Sequence, residues 1–329
     1  MNTGVDLTDL ALTVRPDAEG TRTVGGRAAI LLIHTGGTIG MRETEHGLAP
    51  SAGLLERAAK ELASANTNIT IESFAPLIDS ADITHDHWNR IISGVQKWGG
   101  TGVIVTHGTD TMAFTGAALS QALVGLGIPV VLTGAMKPLG TGGDAENNLQ
   151  LALEAVMRQP AGVWLAFGDR VLPAGGLVKH HTSDEDSFRP AMPVVPPVEA
   201  VGARYRHFKQ ARLAVITVTP GLRAETLSAT LSTLDGAVLR LFGAGTIMTE
   251  GSVLLALRSA IAQGCRLRAV SQCEQGGLAP GAYAAGAGLW EIGVENGGEE
   301  TVEAALVRLW LELSDAPVAM RNVRRSIEP

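Results

Sequence analysis

The sequence predicts an α/β protein with two parts: a larger N-terminal domain built on a doubly wound, mostly parallel sheet, and a smaller C-terminal α/β domain. Short apolar runs recur along the chain without strict alternation, and each leads into a polar or glycine-rich turn and then a helical stretch. Such runs are typical of strands covered by helices on both faces. With 329 residues and 45% hydrophobic content, the chain is long enough for two cores.

The first predicted strand lies in AAILLIHTGGTIG at 28–40, where six apolar residues lead into the turn Thr35-Gly36-Gly37-Thr38. Ligands of open α/β sheets bind at the carboxyl ends of the strands. Glycines allow the backbone to approach a ligand closely, and threonines supply hydroxyl groups. This turn is therefore the first candidate for a functional site.

Further strand and helix units follow this turn. A helix is predicted from Ser51 to Asn66. The next units are a strand at 68–78 with a helix from Thr84 to about Trp98, a strand at 102–106 with a helix at 112–126, and a strand at 129–133 with a helix at 145–158. Successive βα units favour a parallel, doubly wound sheet because crossover connections place helices on both faces.

The alternation of strands and helices stops at Gly162, where the predicted strand GVWLAF is followed directly by a second apolar run, RVLPAGGLV. Two consecutive strands without a helix between them predict an antiparallel edge of the sheet. A proline-rich stretch, MPVVPP at 192–197, and the basic stretch ARYRHFKQ at 203–210 suggest a connection between domains. The predicted organisation is an extension at 1–26, a nucleophile-bearing domain at 27–190, a linker at 191–212 and a smaller domain at 213–329.

Charge and cysteine content exclude several classes of function. The net charge of −7 and the pI of about 5.6 argue against nucleic acid or an anionic membrane surface as a partner. Cys265 and Cys273 form neither a CxxC pattern nor a disulfide framework. The amino terminus does not resemble a secretory signal, and no apolar run reaches the roughly 18 residues that span a bilayer. We therefore expect a soluble, cytoplasmic protein with a small-molecule partner and no cofactor or metal.

Polar side chains follow successive predicted strands, and the carboxyl ends of parallel strands share one edge of the sheet. They are Thr35, Thr38, Ser80, Thr109, Asp110 and, from the edge hairpin, Lys179. Hydroxyls beside a carboxylate and a lysine supply a nucleophile, a base and a balancing charge. The pattern indicates acyl transfer on a small amino-acid-like substrate. Each residue alone also fits a purely structural role, such as a turn cap or a solvent-exposed lysine. Their joint occurrence favours a functional site.

Several segments resemble the bacterial L-asparaginase and glutaminase family, and the cytosolic type most of all. They are TGGTIG at 35–40, EHGLAP at 45–50, LIDSADIT at 77–84, HGTDTM at 107–112, VVLTGAMKP at 130–138 and LFGAG at 241–245. The resemblance extends from about Ala28 to Leu313, and HGTDTM is its most specific segment.

The resemblance implies roles for residues at matching positions. Thr35 would attack the side-chain amide carbon to give an acyl-enzyme, Thr109 would be the second essential threonine, and Lys179 would bond to it. The predicted substrate-binding set is Asp79, Ser80, Gly108, Thr109 and Asp110, with Asp110 taking the α-ammonium and Ser80 the α-carboxylate. The resemblance also implies a homodimer or homotetramer.

One departure concerns the loop after Thr35. The family commonly places a tyrosine there as proton acceptor, but this chain has Leu48. Three explanations are open: Glu43, Glu45 or His46 replaces it, Lys179 acts alone, or the substrate is different. The second departure is Asp144-Ala145 in place of Asp-Gly, which we expect to alter only a turn.

Other classes of function fit the sequence less well. The glycine turn does not match GxGxxG, and no acidic residue ends the second strand, which disfavours a dinucleotide enzyme. Histidines at 85, 87, 180 and 181 are adjacent or two apart and favour surface positions over metal ligation. Two hypotheses remain: an amidohydrolase for asparagine, glutamine or a related amide, and a non-hydrolytic amide binder or amidotransferase-type partner subunit.

Overall fold

The computed structural model describes residues 15–16, 22–23, 27–191, 202–248 and 250–316. At its start, β1 (Arg15–Pro16) pairs antiparallel with β2 (Arg22–Thr23). The rest of the predicted extension, the proline-rich stretch and the tail beyond 316 lie outside the described residues. Within the described ranges, no helix is long and apolar enough to cross a membrane.

The larger domain alternates strands and helices. Its elements in chain order are β3 (Ala28–Gly36), β4 (Met41–Thr44), β5 (Gly47–Pro50), α1 (Leu54–Leu62), β6 (Thr67–Ile78), α2 (His85–Lys97), β7 (Gly102–Thr106), α3 (Met112–Ala122), β8 (Leu123–Val124), β9 (Pro129–Thr133), α4 (Ala145–Arg158), β10 (Gly162–Phe167), β11 (Arg170–Pro173), β12 (Leu177–Lys179) and β13 (Phe188–Pro190).

Six of these strands form one sheet in the order β11-β10-β9-β7-β3-β6. Five of them run parallel, and β11 pairs antiparallel with β10 at the edge, as predicted. The chain moves outward from β3 in one direction to β6 and in the other direction to β7. The gap between the carboxyl ends of β3 and β7 is therefore a topological switch point, where open α/β sheets bind ligands.

Helices cover both faces of this sheet because the side chains that its strands direct to either face are apolar. Leu31 and Ile33 of β3 pack with α2 and α3, whereas Ile30 and Leu32 pack with α1 and α4. All four side chains are buried, and burying such a side chain contributes about 1.5–3 kcal/mol. The doubly wound sheet, which was predicted from apolar runs without polar residues at alternate positions, is confirmed.

Strand β14 (Arg204–Tyr205) pairs with β8 of the larger domain, and the elements of the smaller domain follow it along the chain. These elements are β15 (Leu213–Thr217), α5 (Ala224–Ser232), β16 (Gly236–Leu241), α6 (Gly251–Ala262), β17 (Arg266–Ser271), α7 (Ala284–Glu291), β18 (Glu295–Asn296) and α8 (Val302–Asp315). The strands form a parallel sheet in the order β15-β16-β17-β18. This smaller α/β domain is also as predicted.

Helix α8 joins the two cores. Ala304, Val307 and Leu311 pack into the core of the larger domain. Ala305 and Leu309 face the smaller sheet instead. Because residues three or four apart lie on one helix face, these two sets form two apolar stripes.

Two predicted helices are shorter than expected. The first begins at Leu54 and not at Ser51, because Gly53 has a left-handed φ of 74° and the Ser51 carbonyl accepts a turn hydrogen bond from Leu54. Helix α3 ends at Ala122 because the next two residues pair with β14. That pairing joins segments distant in sequence, which local patterns do not reveal.

The described part of the predicted linker packs on the larger domain. Phe208 is 2% exposed and lies in the core beside Trp88. Asn89 of α2 fastens it by donating to the Phe208 carbonyl at 2.7 Å and accepting from its amide at 2.8 Å. The domain boundaries themselves stay predictions.

Candidate active site

Thr35 lies at the switch point, one residue before the end of β3. It is 1% exposed, and its hydroxyl donates to the carbonyl of Thr106, the last residue of β7, at 2.8 Å. A carbonyl oxygen holds the hydroxyl proton but does not remove it. The oxygen lone pairs remain the reactive feature of this side chain.

Glycines let three strand ends touch at this point. A Cβ on Gly37, whose φ is 89°, would lie 2.6 Å from the Gly108 nitrogen, and a Cβ on Gly108 would lie 2.6 Å from the Ser80 hydroxyl oxygen. Side chains larger than hydrogen do not fit at either position. We call residues 35–37, 79–80 and 107–109 the strand-end platform.

Ser80 is held in the platform by a neighbouring loop. Thr111 donates its hydroxyl proton to the Ser80 carbonyl at 2.7 Å, and Ser80 is 4% exposed. The Asp79 carboxylate is exposed and accepts from the Ala81 amide at 2.9 Å, which caps its own turn. The structure thus gives Asp79 a local role, and its part in substrate binding stays a prediction.

Lys179 reaches the platform from β12. Its ammonium donates to the Thr109 hydroxyl oxygen at 3.0 Å and to Asp110 Oδ1 at 2.6 Å. The lysine side chain is 17% exposed, whereas the Asp110 side chain is 71% exposed. The Thr109 hydroxyl donates in turn to the Met136 sulfur at 3.9 Å, which is a weak acceptor. The predicted contact of Lys179 with Thr109 is therefore present.

His107, the first residue of the third platform segment, is held as a neutral imidazole. A carbonyl only accepts, so Nδ1 donates to the Gly108 carbonyl at 2.7 Å, and Nε2 accepts from the Thr115 hydroxyl at 2.9 Å. Trp88 donates to the same hydroxyl at 2.9 Å. Complete burial lowers the pKa of His107 from 6.5 to about 4 because desolvation disfavours the charged ring.

The loop after Thr35 is an antiparallel hairpin of β4 and β5, in which Leu48 pairs with Glu43. Leu48 is 48% exposed, and Glu43, Glu45 and His46 are exposed as well. Hydrogen bonds at its tip are local, since the Thr44 hydroxyl donates to the Gly47 carbonyl and accepts from the His46 amide. A role for these side chains as proton acceptor stays a prediction.

The histidines predicted to lie at the surface have local partners. His87 Nδ1 accepts from the Thr84 amide at 3.0 Å at the start of α2, and His85 lies 3.5 Å from Asp86. His181 Nδ1 accepts from the Asp184 amide at 2.8 Å. Among the described residues, no three His, Cys, Asp or Glu side chains cluster as metal ligands do.

The sequence did not predict three groups that hold residues of the site in place through hydrogen bonds. The Thr106 carbonyl accepts the hydrogen bond of the Thr35 hydroxyl, the His107 ring donates to the Gly108 carbonyl, and the Met136 sulfur accepts from the Thr109 hydroxyl. The segment VVLTGAMKP signalled that the third of these lies in a functional loop, but no pattern pointed to its sulfur. A cavity of about 360 Å³ between residues 190–191 and the loops at 271–277 and 298–300 shares no residue with the platform.

Comparison with known proteins places the chain in a family. Residues 29–212 match the model "Asparaginase, N-terminal", and residues 212–324 match the model "Glutaminase/Asparaginase C-terminal domain". L-asparaginase 1 of Escherichia coli K12 is 31% identical over 314 residues, which cover 88% of this chain and 92% of that protein. One component of the glutamyl-tRNA(Gln) amidotransferase of Pyrococcus abyssi is 29% identical, covering 90% of this chain and 75% of that protein.

Solved structures agree with these matches. L-asparaginase I from Vibrio cholerae superimposes with a TM-score of 0.78 at 28% identity, covering 92% of this chain and 97% of that one. The thermostable L-asparaginase from Thermococcus kodakarensis gives a TM-score of 0.76 at 29% identity, with the same coverage. The chain therefore belongs to the asparaginase family of amidohydrolases.

Proposed function

We propose that this protein hydrolyses the side-chain amide of L-asparagine to aspartate and ammonia, with Thr35 as the nucleophile. One observation carries the proposal: the contact of Lys179 with both Thr109 and Asp110, at the same switch point that holds Thr35. A hydroxyl, a charged amine and a carboxylate gathered at a ligand-binding edge are suited to acyl transfer.

Substrate is held through its two α-substituents. Asp110 offers an exposed carboxylate to the α-ammonium, beside the Lys179 ammonium that balances its charge. Ser80, which lies against Gly108 in the platform, donates its hydroxyl proton to the α-carboxylate. This arrangement leaves the side-chain amide to extend toward Thr35.

The first chemical step forms one bond and breaks one. Thr35 Oγ1 bonds to the amide carbon, the C–N bond breaks, and nitrogen leaves as ammonia after receiving the hydroxyl proton. Because a threonine hydroxyl has a pKa far above 7, a neighbouring group must carry this proton between the two atoms. In the second step water attacks the ester, which releases aspartate and restores the Thr35 hydroxyl.

Lys179 and Thr109 are proposed as the route for these protons. Thr109 accepts from Lys179 and donates to a thioether, so its proton is weakly held and available to a substrate or water. The hairpin residues Glu43, Glu45 and His46 are the alternative carriers, since Leu48 offers no polar atom.

Assembly and location complete the proposal. We infer a homodimer or homotetramer in the cytoplasm. Size-exclusion chromatography with light scattering measures the assembly, and a purely monomeric protein at micromolar concentration would contradict this part.

A non-hydrolytic amide binder, or a partner subunit that passes ammonia to another enzyme, is the second candidate. It is favoured by Leu48 in place of the loop tyrosine and by the similarity to the Pyrococcus amidotransferase component. In this case the chain would bind asparagine or glutamine but release little ammonia without a partner.

Ammonia release from the purified protein distinguishes the two candidates. L-asparagine, L-glutamine and their D-enantiomers are supplied separately, and binding is measured in parallel by calorimetry. We expect turnover of L-asparagine that Thr35→Ala and Thr109→Val each abolish without loss of fold. Saturable binding of asparagine with no turnover would reject the hydrolase and support the second candidate.

A further inference from the structure

Asp144 is a buried carboxylate that the proposed mechanism does not use. It is 3% exposed and precedes α4. Its oxygens accept from the Met136 amide at 2.8 and 3.1 Å and from the Lys137 amide at 2.9 Å. Its carboxylate therefore binds the backbone of a loop that comes before it in the chain.

Asp144 does not cap its own helix. An aspartate at an N-cap ordinarily accepts from amides in the first turn. Here the side chain makes no such bond to α4. The carboxylate is directed instead to the backbone amides of Met136 and Lys137.

Asn148, one turn later on α4, completes the arrangement. Its side chain is 1% exposed and donates to Asp144 Oδ2 at 3.0 Å and to the Gly134 carbonyl at 3.0 Å. Its Oδ1 accepts from the Gly168 amide at 3.0 Å. Asp144, which directly precedes α4, and Asn148, one turn into it, therefore bind the loop 134–137 at both ends.

That loop touches the platform twice. A Cβ on Gly134 would lie 2.3 Å from the His107 carbonyl oxygen, which shows how closely the two backbones approach. Met136 places its sulfur 3.9 Å from the Thr109 hydroxyl oxygen. A shift of the loop therefore moves the partner of the Thr109 proton.

We propose that Asp144, supported by Asn148, is a positioning residue for the reaction: it fixes the loop 134–137 so that Met136 orients the Thr109 hydroxyl beside Lys179. This inference rests on the proposed function, because it assigns the step that Thr109 serves. It predicts an effect on turnover and little effect on the binding of the substrate's α-groups, which Ser80 and Asp110 hold.

The substitution Asp144→Asn tests the inference. It turns one acceptor oxygen into a donor that faces amide N–H groups, so the loop must shift. We expect kcat to fall about 10- to 100-fold, since misplacement by about 1 Å has this effect on catalysis, with KM changed less than about threefold. An unchanged kcat in a variant with a lowered melting temperature would show that the role is structural only.

Glu146→Gln provides the matched control. Glu146 Oε1 accepts from the Gly140 amide at 2.6 Å in the same connection between β9 and α4, but its side chain is only half-buried. We expect kcat within about twofold of wild type, as for other substitutions outside the core. A loss equal to that of Asp144→Asn would contradict a specific role for the buried carboxylate.

A double-mutant cycle with Met136→Leu tests the route. If Asp144 acts through Met136, the double variant loses no more turnover than the more damaged single variant. Losses that multiply would show independent effects and reject the route.

A crystal structure of Asp144→Asn gives a readout that needs no turnover. The inference predicts a separation between the Met136 sulfur and Thr109 Oγ1 that exceeds 3.9 Å, and an unchanged separation overturns it. Loss of the proposed function would instead appear as absent ammonia release in the wild-type protein.

Discussion

The strand-end platform, which contains the candidate nucleophile Thr35, and the hairpin at 41–50, which follows it along the chain, are built differently. The platform consists of buried backbone segments in contact through Gly37 and Gly108, fastened by hydrogen bonds of Thr35, Thr111 and His107. The hairpin consists of one antiparallel ladder with exposed side chains.

This difference separates two tasks. A site that must hold a reacting atom to within a fraction of an ångström needs rigid surroundings, and tightly packed backbone segments provide them. A hairpin held by its own ladder can move over a ligand, but does not fix geometry by itself. We expect substitutions in the platform to have large effects and those in the hairpin small ones.

Lys179→Met should have the largest effect among the supporting residues. If Lys179 carries the protons of the reaction, kcat falls by about 10²- to 10⁴-fold, the usual contribution of general acid–base groups. Glu43→Gln, Glu45→Gln and His46→Gln should each stay within about threefold of wild type. Steady-state ammonia release is the measurement, and Lys60→Met, at an exposed position of α1, is the control.

The opposite ranking of these kcat losses would contradict the expected difference between the platform and the hairpin. A large loss in one hairpin variant, with a mild effect of Lys179→Met, would place the base in the hairpin. That residue would then replace the missing tyrosine.

Gly37→Ala and Gly47→Ala compare the two regions at glycines with similar φ angles. Both glycines have positive φ, 89° and 100°, but a Cβ on Gly47 meets nothing within 4 Å. Gly47→Ala should cost about 1 kcal/mol of stability and leave kcat nearly unchanged. Gly37→Ala adds a clash with Gly108, so we expect a loss of about 3 kcal/mol and of about 100-fold in kcat. Denaturant titrations and steady-state kinetics measure the two losses. Equal losses of stability and kcat in the two variants would contradict the difference between the platform and the hairpin.

His107 predicts a pH dependence of stability. Its pKa is about 4 in the fold and 6.5 as the unperturbed value. The unfolded state therefore binds more protons between these values, and stability falls as the pH drops from 6.5 to 4. The loss reaches about 3 kcal/mol. Urea unfolding of the wild type and His107→Gln measures it, and the same slope in both proteins would contradict the assignment.

Leu48→Tyr should have a smaller effect on kcat than Lys179→Met or Gly37→Ala, and the only favourable one. A phenol in the hairpin restores the group that the family commonly places there, and we expect kcat to rise about tenfold. Leu48→Phe is the matched control because it adds the ring without the hydroxyl. Equal rates for the two variants would show that the hydroxyl has no acceptor role in this chain.

Sequence patterns predicted most of the fold because the decisive signals are local. The buried strands at β7 and β9 are short apolar runs closed by threonine and a turn, and the switch point follows from their order. The predicted start of α1 is wrong because the left-handed φ of Gly53 ends the turn that Ser51 begins. The pairing of β8 with β14 depends on residues some 80 positions apart and leaves no local trace.

For the site, the predicted residues that lie together are those on strand ends, namely Thr35, Ser80, Gly108, Thr109 and Lys179. The role of the Asp144 carboxylate was not predicted, because the sequence shows its neighbours along the chain but not the loop that this carboxylate faces. Residues that act through packing or buried hydrogen bonds are recognised only when three-dimensional neighbours are known.

Mass spectrometry of the acid-quenched enzyme during turnover of L-asparagine tests the role of Thr35 most directly. We predict one aspartyl group in ester linkage on the peptide that carries Thr35, and none in Thr35→Ala. An aspartyl group on Thr109 or any other residue, or continued turnover by Thr35→Ala, would contradict Thr35 as the nucleophile.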